Sequence, residues 1–541
     1  RAAAGKNINI AAVRKRHKIK GEDKPPFVLE KSNMQVSQKK AGVLLSYLAQ
    51  IIHILSGILY TPIMLRLLGQ NEYGLYQLVA SVVSYLNVLS LGFGSSYMRF
   101  YSQIKKQGDE DKVAEFNGMY LTIFLIIAVI CLLCGGVLIG NIELVFGDGL
   151  TAQEYPKARI LLALMVFNLA LTFPGGAIDS FITAHEQFIF QRVLKILQNL
   201  FNPFLTLPLL LMGYGSIAMV LVTTVLTVSK IASSIWFCRK KLKIRLCFHE
   251  FKLSLLKEMW IFTFFICINM VADQINWNVD KVLLGRFSGT IAVAIYGIGS
   301  QLNTMYMQMS TIISNVFVPQ VNRIVAGSND NRLLTELLTK VGRVQFLVLT
   351  LISCGFVFLG REFINLWAGD GYEQSYAITL LLIFPATIPL AQNVVLEIMR
   401  AKNMHKVRSV MYFAMAIANV IISIPLIQLW GGEGAALGTA IVLILGDCVF
   451  MNIYYYRRVG LNMIYYWEQI LRFIPAFLVI IICEIIVTHC LRMDSIILFL
   501  VHGIIYMLVF GIAMWFLGLN QTEKELIRVP LRKIRHIFKI S

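Results

Sequence analysis

About fourteen apolar stretches, split by short polar loops, leave this chain one medium in which it can fold. A bilayer-crossing helix needs roughly 20 mostly apolar residues. Residues 121–140, 160–174, 216–238, 346–359, 412–430 and 474–487 are each a span or the core of one. A soluble domain would carry about 25% charged residues; here 15% are charged and 57% hydrophobic. The expected fold is all-α and integral to the membrane. Spans are predicted at 41–68, 76–101, 117–140, 158–183, 188–212, 216–237, 259–279, 291–318, 341–359, 375–399, 407–430, 434–455, 467–488 and 496–517.

The two halves repeat each other. Leu67-Leu68-Gly69 with Tyr76 recurs as Leu283-Leu284-Gly285 with Tyr296, and IELVFGDG at 142–149 as INLWAGDG at 364–371. Ala184 with Pro208 recurs as Ala401 with Pro425, and Gly213-Tyr214-Gly215 as Gly431, Gly432 and Gly434. The chain therefore divides into an extension at 1–40, a six-helix lobe at 41–238, a basic linker at 239–258, a second lobe at 259–456, a helix pair at 457–518 and a tail at 519–541. Each repeat has an even number of crossings, so the pseudo-two-fold lies along the membrane normal, and a shared site is expected at the seam. Pro62, Pro174, Pro203, Pro208, Pro385 and Pro389 interrupt spans. They fit bending during transport and static kinks equally well.

The net charge of +19 would point to nucleic acid in a soluble chain. Its distribution points elsewhere. One alternating set of loops holds Arg14-Lys15-Arg16, Lys105-Lys106, Arg239-Lys240-Lys241, the 402–408 segment, Arg457-Arg458 and the 528–539 tail. The positive-inside rule places that set, and both termini, in the cytoplasm. Residues 1–40 lack an apolar signal-peptide core and are expected to form a mobile cytoplasmic extension. The nine cysteines are scattered, and Cys131-x-x-Cys134 lacks the second cysteine pair or histidines that a metal or redox site needs. No metal or organic cofactor is expected.

Charged and polar groups inside spans are costly and carry information. Asn269, Asp273, Asn276 and Asp280 recur at steps of four, three and four, which puts them on one helical face. That face is expected to meet a wet cavity between lobes, as a proton or Na⁺ site or as contacts to substrate hydroxyls. An ion-paired structural cluster, Asp280 with Lys281 or Arg286, is the other reading. Gln301 and Asn303 make the eighth span polar, and Gln50, His53, Gln77 and Asn87 do the same for the first two. Spans one, two, seven and eight are thus expected to line a central hydrophilic cavity. Arg66 and Arg99 could neutralise a phosphate, or snorkel to the interface from span ends. Asp179 and Glu397 end the fourth helix of each repeat; with His185, Arg192, Arg400 and Lys402 nearby they suggest gate ion pairs or a static surface network. Asp447 and Glu484 lie in apolar spans with no basic partner close in sequence. Enzyme signatures fail: Gly432-Glu433-Gly434 follows no strand, and no Walker A pattern exists.

The run LRLLGQNEYGLYQLVASVVSYLNVLSLGFGSSYMRF at 65–100, with Asp280-Lys281-Val282-Leu283-Leu284-Gly285 and Ala294-Ile295-Tyr296, resembles polysaccharide flippases of the Wzx type. These belong to the MOP superfamily with MATE extruders and the lipid II flippase MurJ. The resemblance covers about 41–517 and implies two pseudo-symmetric lobes plus a C-terminal helix pair. It also implies movement of undecaprenyl-diphosphate-linked oligosaccharide from the inner to the outer leaflet of a bacterial cell membrane, by alternating access driven by an H⁺ or Na⁺ gradient or by potential. Membrane lipid, a glycan polymerase and glycosyltransferases would be its partners. The positions matching the family's polar lumen are Arg99 and the Asp280-Lys281 pair; Asp273 and Asp280 oppose a clearly cationic lumen. A cation-coupled drug antiporter, a lipid II flippase and a membrane glycan polymerase or ligase are the rival readings.

Overall fold

A computed structural model describes residues 26–90, 92–248, 253–490, 495–525 and 528. Arg14-Lys15-Arg16, residues 249–252 of the basic linker and most of the basic tail lie outside the described residues. The first lobe comprises α1 (Pro26–Leu68), α2 (Gln70–Leu86), α3 (Phe93–Lys105), α4 (Glu110–Gly140), the short α5 (Ile142–Phe146), α6 (Glu154–Ala184), α7 (Phe188–Leu211) and α8 (Gly215–Lys240). The second comprises α9 (Leu253–Gly327), α10 (Asn331–Trp367), α11 (Gln374–Ala391), α12 (Asn393–Ala401) and α13 (His405–Leu443), which runs on through π-turns to Val459. α14 (Met463–Leu471), α15 (Ile474–Cys490) and α16 (Ile496–Ala513) complete the chain. The helix at the N-terminal end is already formed from Pro26, well inside the extension expected up to residue 40.

Among the described residues, eleven helices are long and apolar enough to cross a bilayer. Two of them fold back on themselves. α9 reverses at Gly289 (φ 80°), where Tyr296 on one arm donates to Asp280 on the other at 2.8 Å. α13 reverses at Gly431 (φ 55°), where Thr439 donates to Asn419 at 3.3 Å. α2 and α3, parted by a short 3₁₀ turn at Asn87–Ser90, form one more interrupted rod. The fourteen expected crossings are thereby reached. In the first lobe the equivalent of the α13 hairpin is α7 with α8, turned at Gly213 (φ 85°), where Asn202 donates to Thr223 at 3.3 Å.

The chain reversal corrects one part of the repeat alignment. Gly69 (φ 74°) ends the first span of lobe one, but its structural counterpart is Gly289, not Gly285, which stays helical. Each turn glycine stands seven residues before a tyrosine, Tyr76 or Tyr296, and three after an arginine, Arg66 or Arg286. A residue at positive φ is strained unless it is glycine, so the turn and not the Leu-Leu-Gly letters fixes the register.

The lobes meet along α1, α2 and the two arms of α9. Gly74 packs so closely on the Thr290 carbonyl that no Cβ fits there. Polar side chains bridge the seam directly: Gln50 donates to Gln308 at 2.6 Å, Gln301 to Thr61 at 2.9 Å and Tyr73 to Gln301 at 3.3 Å. The C-terminal helices bind to lobe two. Buried Arg343, near the start of α10, donates to the Gly518 carbonyl and to both oxygens of Glu523, with its guanidinium 4.2 Å from the Phe473 ring centre. Glu484 pairs with His502 at 2.9 Å between α15 and α16, both fully buried, so the partner missing from the local sequence comes from the next helix.

Candidate functional site

The turns at Gly69, Gly213, Gly289 and Gly431 lie on one face of the molecule, here the turn face. The loops holding Lys105, Arg239, Lys402 and Arg457 lie on the other, the basic face. A cavity of about 580 Å³ sits inside lobe one between α1, α2, α6, α7 and α8, with Gln301 reaching in from lobe two. That volume lies in the range of ordinary small-molecule sites. Its lining passes from Met64, Tyr73 and Met219 near the turn face to Asp179, Lys195 and Lys230 toward the basic face. Between them stand His53, Gln198, Asn199, Asn202 and Thr223, a wall of hydrogen-bonding groups.

The charges there do not cancel. Lys230 lies 2.6 Å from Asp179, both about three-tenths exposed, while Lys195 projects into the same space from α7. One cationic charge remains in excess. Neither lysine was among the expected site residues, although each stands inside a mostly apolar helix, which is the signal that marks such a position. Asp179 was expected to pair with its sequence neighbours; its partner instead arrives from α8. Glu397 pairs locally with Arg400 at 2.7 Å, three residues on.

The expected stripe on span seven has a different neighbour from the one anticipated. Asp280 is buried inside lobe two, where its Oδ2 accepts from Tyr296 at 2.8 Å and from Thr439 at 2.7 Å. Asn419 lies beside Thr439 and accepts from Ser423 at 3.1 Å. Asp280 Oδ1 and Asn419 Nδ2 have no hydrogen-bond partner, an unsatisfied pair inside an oxygen-rich pocket. Asp273, two turns toward the basic face, looks toward Tyr412 and Arg408 of α13. The Asn276 amide nitrogen is buried without a partner, and so is the Asn303 carbonyl oxygen. Helical periodicity could not say that α13, not the seam, lies opposite Asp273 and Asp280.

Lys281 turns the other way and donates to Gln77 across the seam at 3.3 Å, so Asp280 pairs with neither Lys281 nor Arg286. Spans one and two, with Gln301 of span eight, do line the cavity, whereas span seven contributes nothing to its lining and meets lobe one through Lys281. Arg66 is exposed at the turn face and donates to the Leu366 carbonyl at 3.2 Å, away from the cavity. Arg99 projects from α3 with its guanidinium 5.9 Å from the Phe100 ring centre, also outside the cavity. Outside the spans, the Glu373 carboxyl is held below its usual range by the Gly371 N–H, which donates to it at 3.0 Å.

Paired helical lobes with a polar chamber on one side of the seam match known proteins. The family described as "Polysaccharide biosynthesis protein" matches residues 40–325. The chain belongs to that family. A Bacillus subtilis (strain 168) relative, the uncharacterized membrane protein EpsK, is 21% identical over 76% of this chain and 82% of its own. A Shigella dysenteriae protein, provisionally named an O-antigen transporter, is 23% identical over 39% of this chain and 53% of its own. Among solved structures, the lipid II flippase MurJ in an inward closed conformation superposes with a TM-score of 0.69 at 16% identity, covering 87% of this chain and 97% of that one. An inward-facing MATE transporter of the MOP superfamily gives 0.63 at 10% identity, covering 76% and 94%. The fold of this family member is thus that of MurJ and the MATE transporters, in a multi-pass membrane protein.

Proposed function

We propose that the chain flips a polyprenyl-diphosphate-linked oligosaccharide across a bacterial cytoplasmic membrane, with the basic face and both termini in the cytoplasm. The lobe-one cavity is the observation that carries this reading. Lys195 and Lys230 offer charge to a diphosphate, and Asn199, Asn202, Gln198 and Thr223 offer donors and acceptors to sugar hydroxyls. The lipid tail stays in the bilayer while the lobes rock about the seam. Membership of a polysaccharide biosynthesis family supports a glycan as the cargo, and the glycosyltransferases and polymerase of the same route would be its partners.

The Asp280 pocket serves as the coupling site. Its oxygens, from Asp280, Tyr296, Asn419, Ser423 and Thr439, are hard donors suited to Na⁺, and the unpartnered Asp280 Oδ1 equally suits a proton. Because α13 carries half of this pocket, binding there biases the packing of α13 on α9.

A depletion experiment tests the cargo. Loss of the protein should strand lipid-linked oligosaccharide on the cytoplasmic leaflet; if glycan export continues and none accumulates, the reading fails. The buried acid of lobe two also fits a cation-coupled drug antiporter. Normal export together with raised drug sensitivity on deletion would favour that alternative.

A further inference from the structure

Two arginines cross between the lobes in a symmetry-related pair. Arg66, in the last turn of the first span, donates to the Leu366 carbonyl of lobe two at 3.2 Å. Arg286, three residues before the Gly289 turn, donates to the Leu144 carbonyl of lobe one at 3.3 Å. Arg66 and Arg286 hold the same place relative to their turn glycines, and Leu144 and Leu366 are each the third residue of the repeated octet. Donors and acceptors are therefore exchanged: each lobe gives a guanidinium and receives one.

The acceptors suit the donors. Leu366 lies in the last turn of α10 and Leu144 in the single turn of α5, where carbonyls lack intrahelical partners and the helix end carries partial negative charge. A main-chain acceptor is present whatever side chain occupies the position. Each bond has a neighbour that also spans the lobes: Thr290 donates to Glu154 at 2.9 Å beside Arg286, and Trp367 donates to the Ile58 carbonyl at 2.7 Å beside Arg66. The octet glycines permit the approach. Gly149 packs on the Gly285 carbonyl and Gly371 on the Gln70 side chain, and a Cβ on either would collide.

We infer that Arg66 and Arg286 are paired latches that hold the turn face shut, and that both must release before the lobes can part there. Since both bridge the same two bodies about one pseudo-two-fold axis, neither opens alone while the lobes stay rigid. The inference rests on the rocking motion proposed above, and it assigns to these arginines a positioning role separate from cargo binding.

Spin labels at Gln153 and Gln374, exposed on the turn face of lobes one and two, read the opening in full-length protein in lipid nanodiscs. Arg66→Ala and Arg286→Ala should each raise the ratio of long-distance to short-distance populations about fivefold, a shift typical of one hydrogen bond. The double variant should approach the product, about 25-fold, because both act on one equilibrium. Arg66→Lys should fall between wild type and alanine. Arg159→Ala, which breaks the Arg159–Glu143 pair within lobe one at 2.9 Å, controls for surface charge on the same face and should leave the ratio unchanged. An unchanged ratio in either alanine variant, with wild type still showing two distances, overturns the latch and leaves rocking intact. A single distance in wild type and every variant overturns both.

Discussion

Asp280 and Lys281 are consecutive in the chain yet face opposite bodies: the carboxylate accepts from Tyr296 and Thr439 inside lobe two, and the ammonium donates to Gln77 of lobe one. The proposed coupling group and a seam contact thus share one turn of one helix. A change in how α9 sits against α13 is carried to the seam with no intervening loop.

Substitutions should separate these two tasks. Asp280→Asn keeps an acceptor for both hydroxyls and should abolish the ion dependence of transport in proteoliposomes with little loss of thermal stability. Asp280→Leu leaves the buried Tyr296 hydroxyl without its acceptor, Thr439 still having Asn419, and should cost about 1–3 kcal/mol for that unsatisfied group. Ion dependence retained in the Asn variant would exclude Asp280 as the coupling site.

The Lys230–Asp179 pair is partly exposed, so breaking it should cost only about 0.2–1 kcal/mol of stability. Its effect on cargo should be larger. Lys230→Ala and Lys195→Ala should each weaken binding of a diphosphate-linked glycan about tenfold, while Asp179→Ala should not weaken it. Equal losses in all three, measured by equilibrium binding to purified protein, would mean that the cavity is merely disrupted.

Arg343→Ala should be among the most damaging single changes outside the cavity. It strands the buried Glu523 carboxylate, and removal of one member of such a pair costs about 3–5 kcal/mol. The double change Arg343→Met with Glu523→Leu should recover much of the loss. Melting temperatures of the three proteins in detergent decide this, and a tolerant Arg343→Ala variant would contradict the burial described.

Gly74→Ala places a methyl group against the Thr290 main chain, where no flexible side chain can yield. Overpacking of this kind costs about 1–3 kcal/mol, and here it acts on lobe docking. The same pair of spin labels should report a wider turn face in this variant while far-UV helix content stays unchanged.

The spans were legible because apolar length is nearly sufficient to define a membrane helix. The duplication was legible because both copies reverse at glycines in matching places, Gly69 and Gly289, Gly213 and Gly431. What could not be read was orientation about each helix axis. The residues 269–280 share a face by spacing alone, but spacing does not say whether α2 or α13 lies opposite. Gly285 was matched to Gly69 by letters, whereas only the positive φ at Gly289 marks the true turn. Lys195 and Lys230 carried a readable signal of intramembrane charge, each being a lysine inside a mostly apolar helix.

The grip of Arg343 on Gly518 and Glu523 gives the last two crossings a fixed berth on lobe two. A fluorophore attached at Lys524 would then travel as a passenger on that lobe, and its distance to lobe one would report each stroke of the proposed rocking motion without any alteration to the chamber itself.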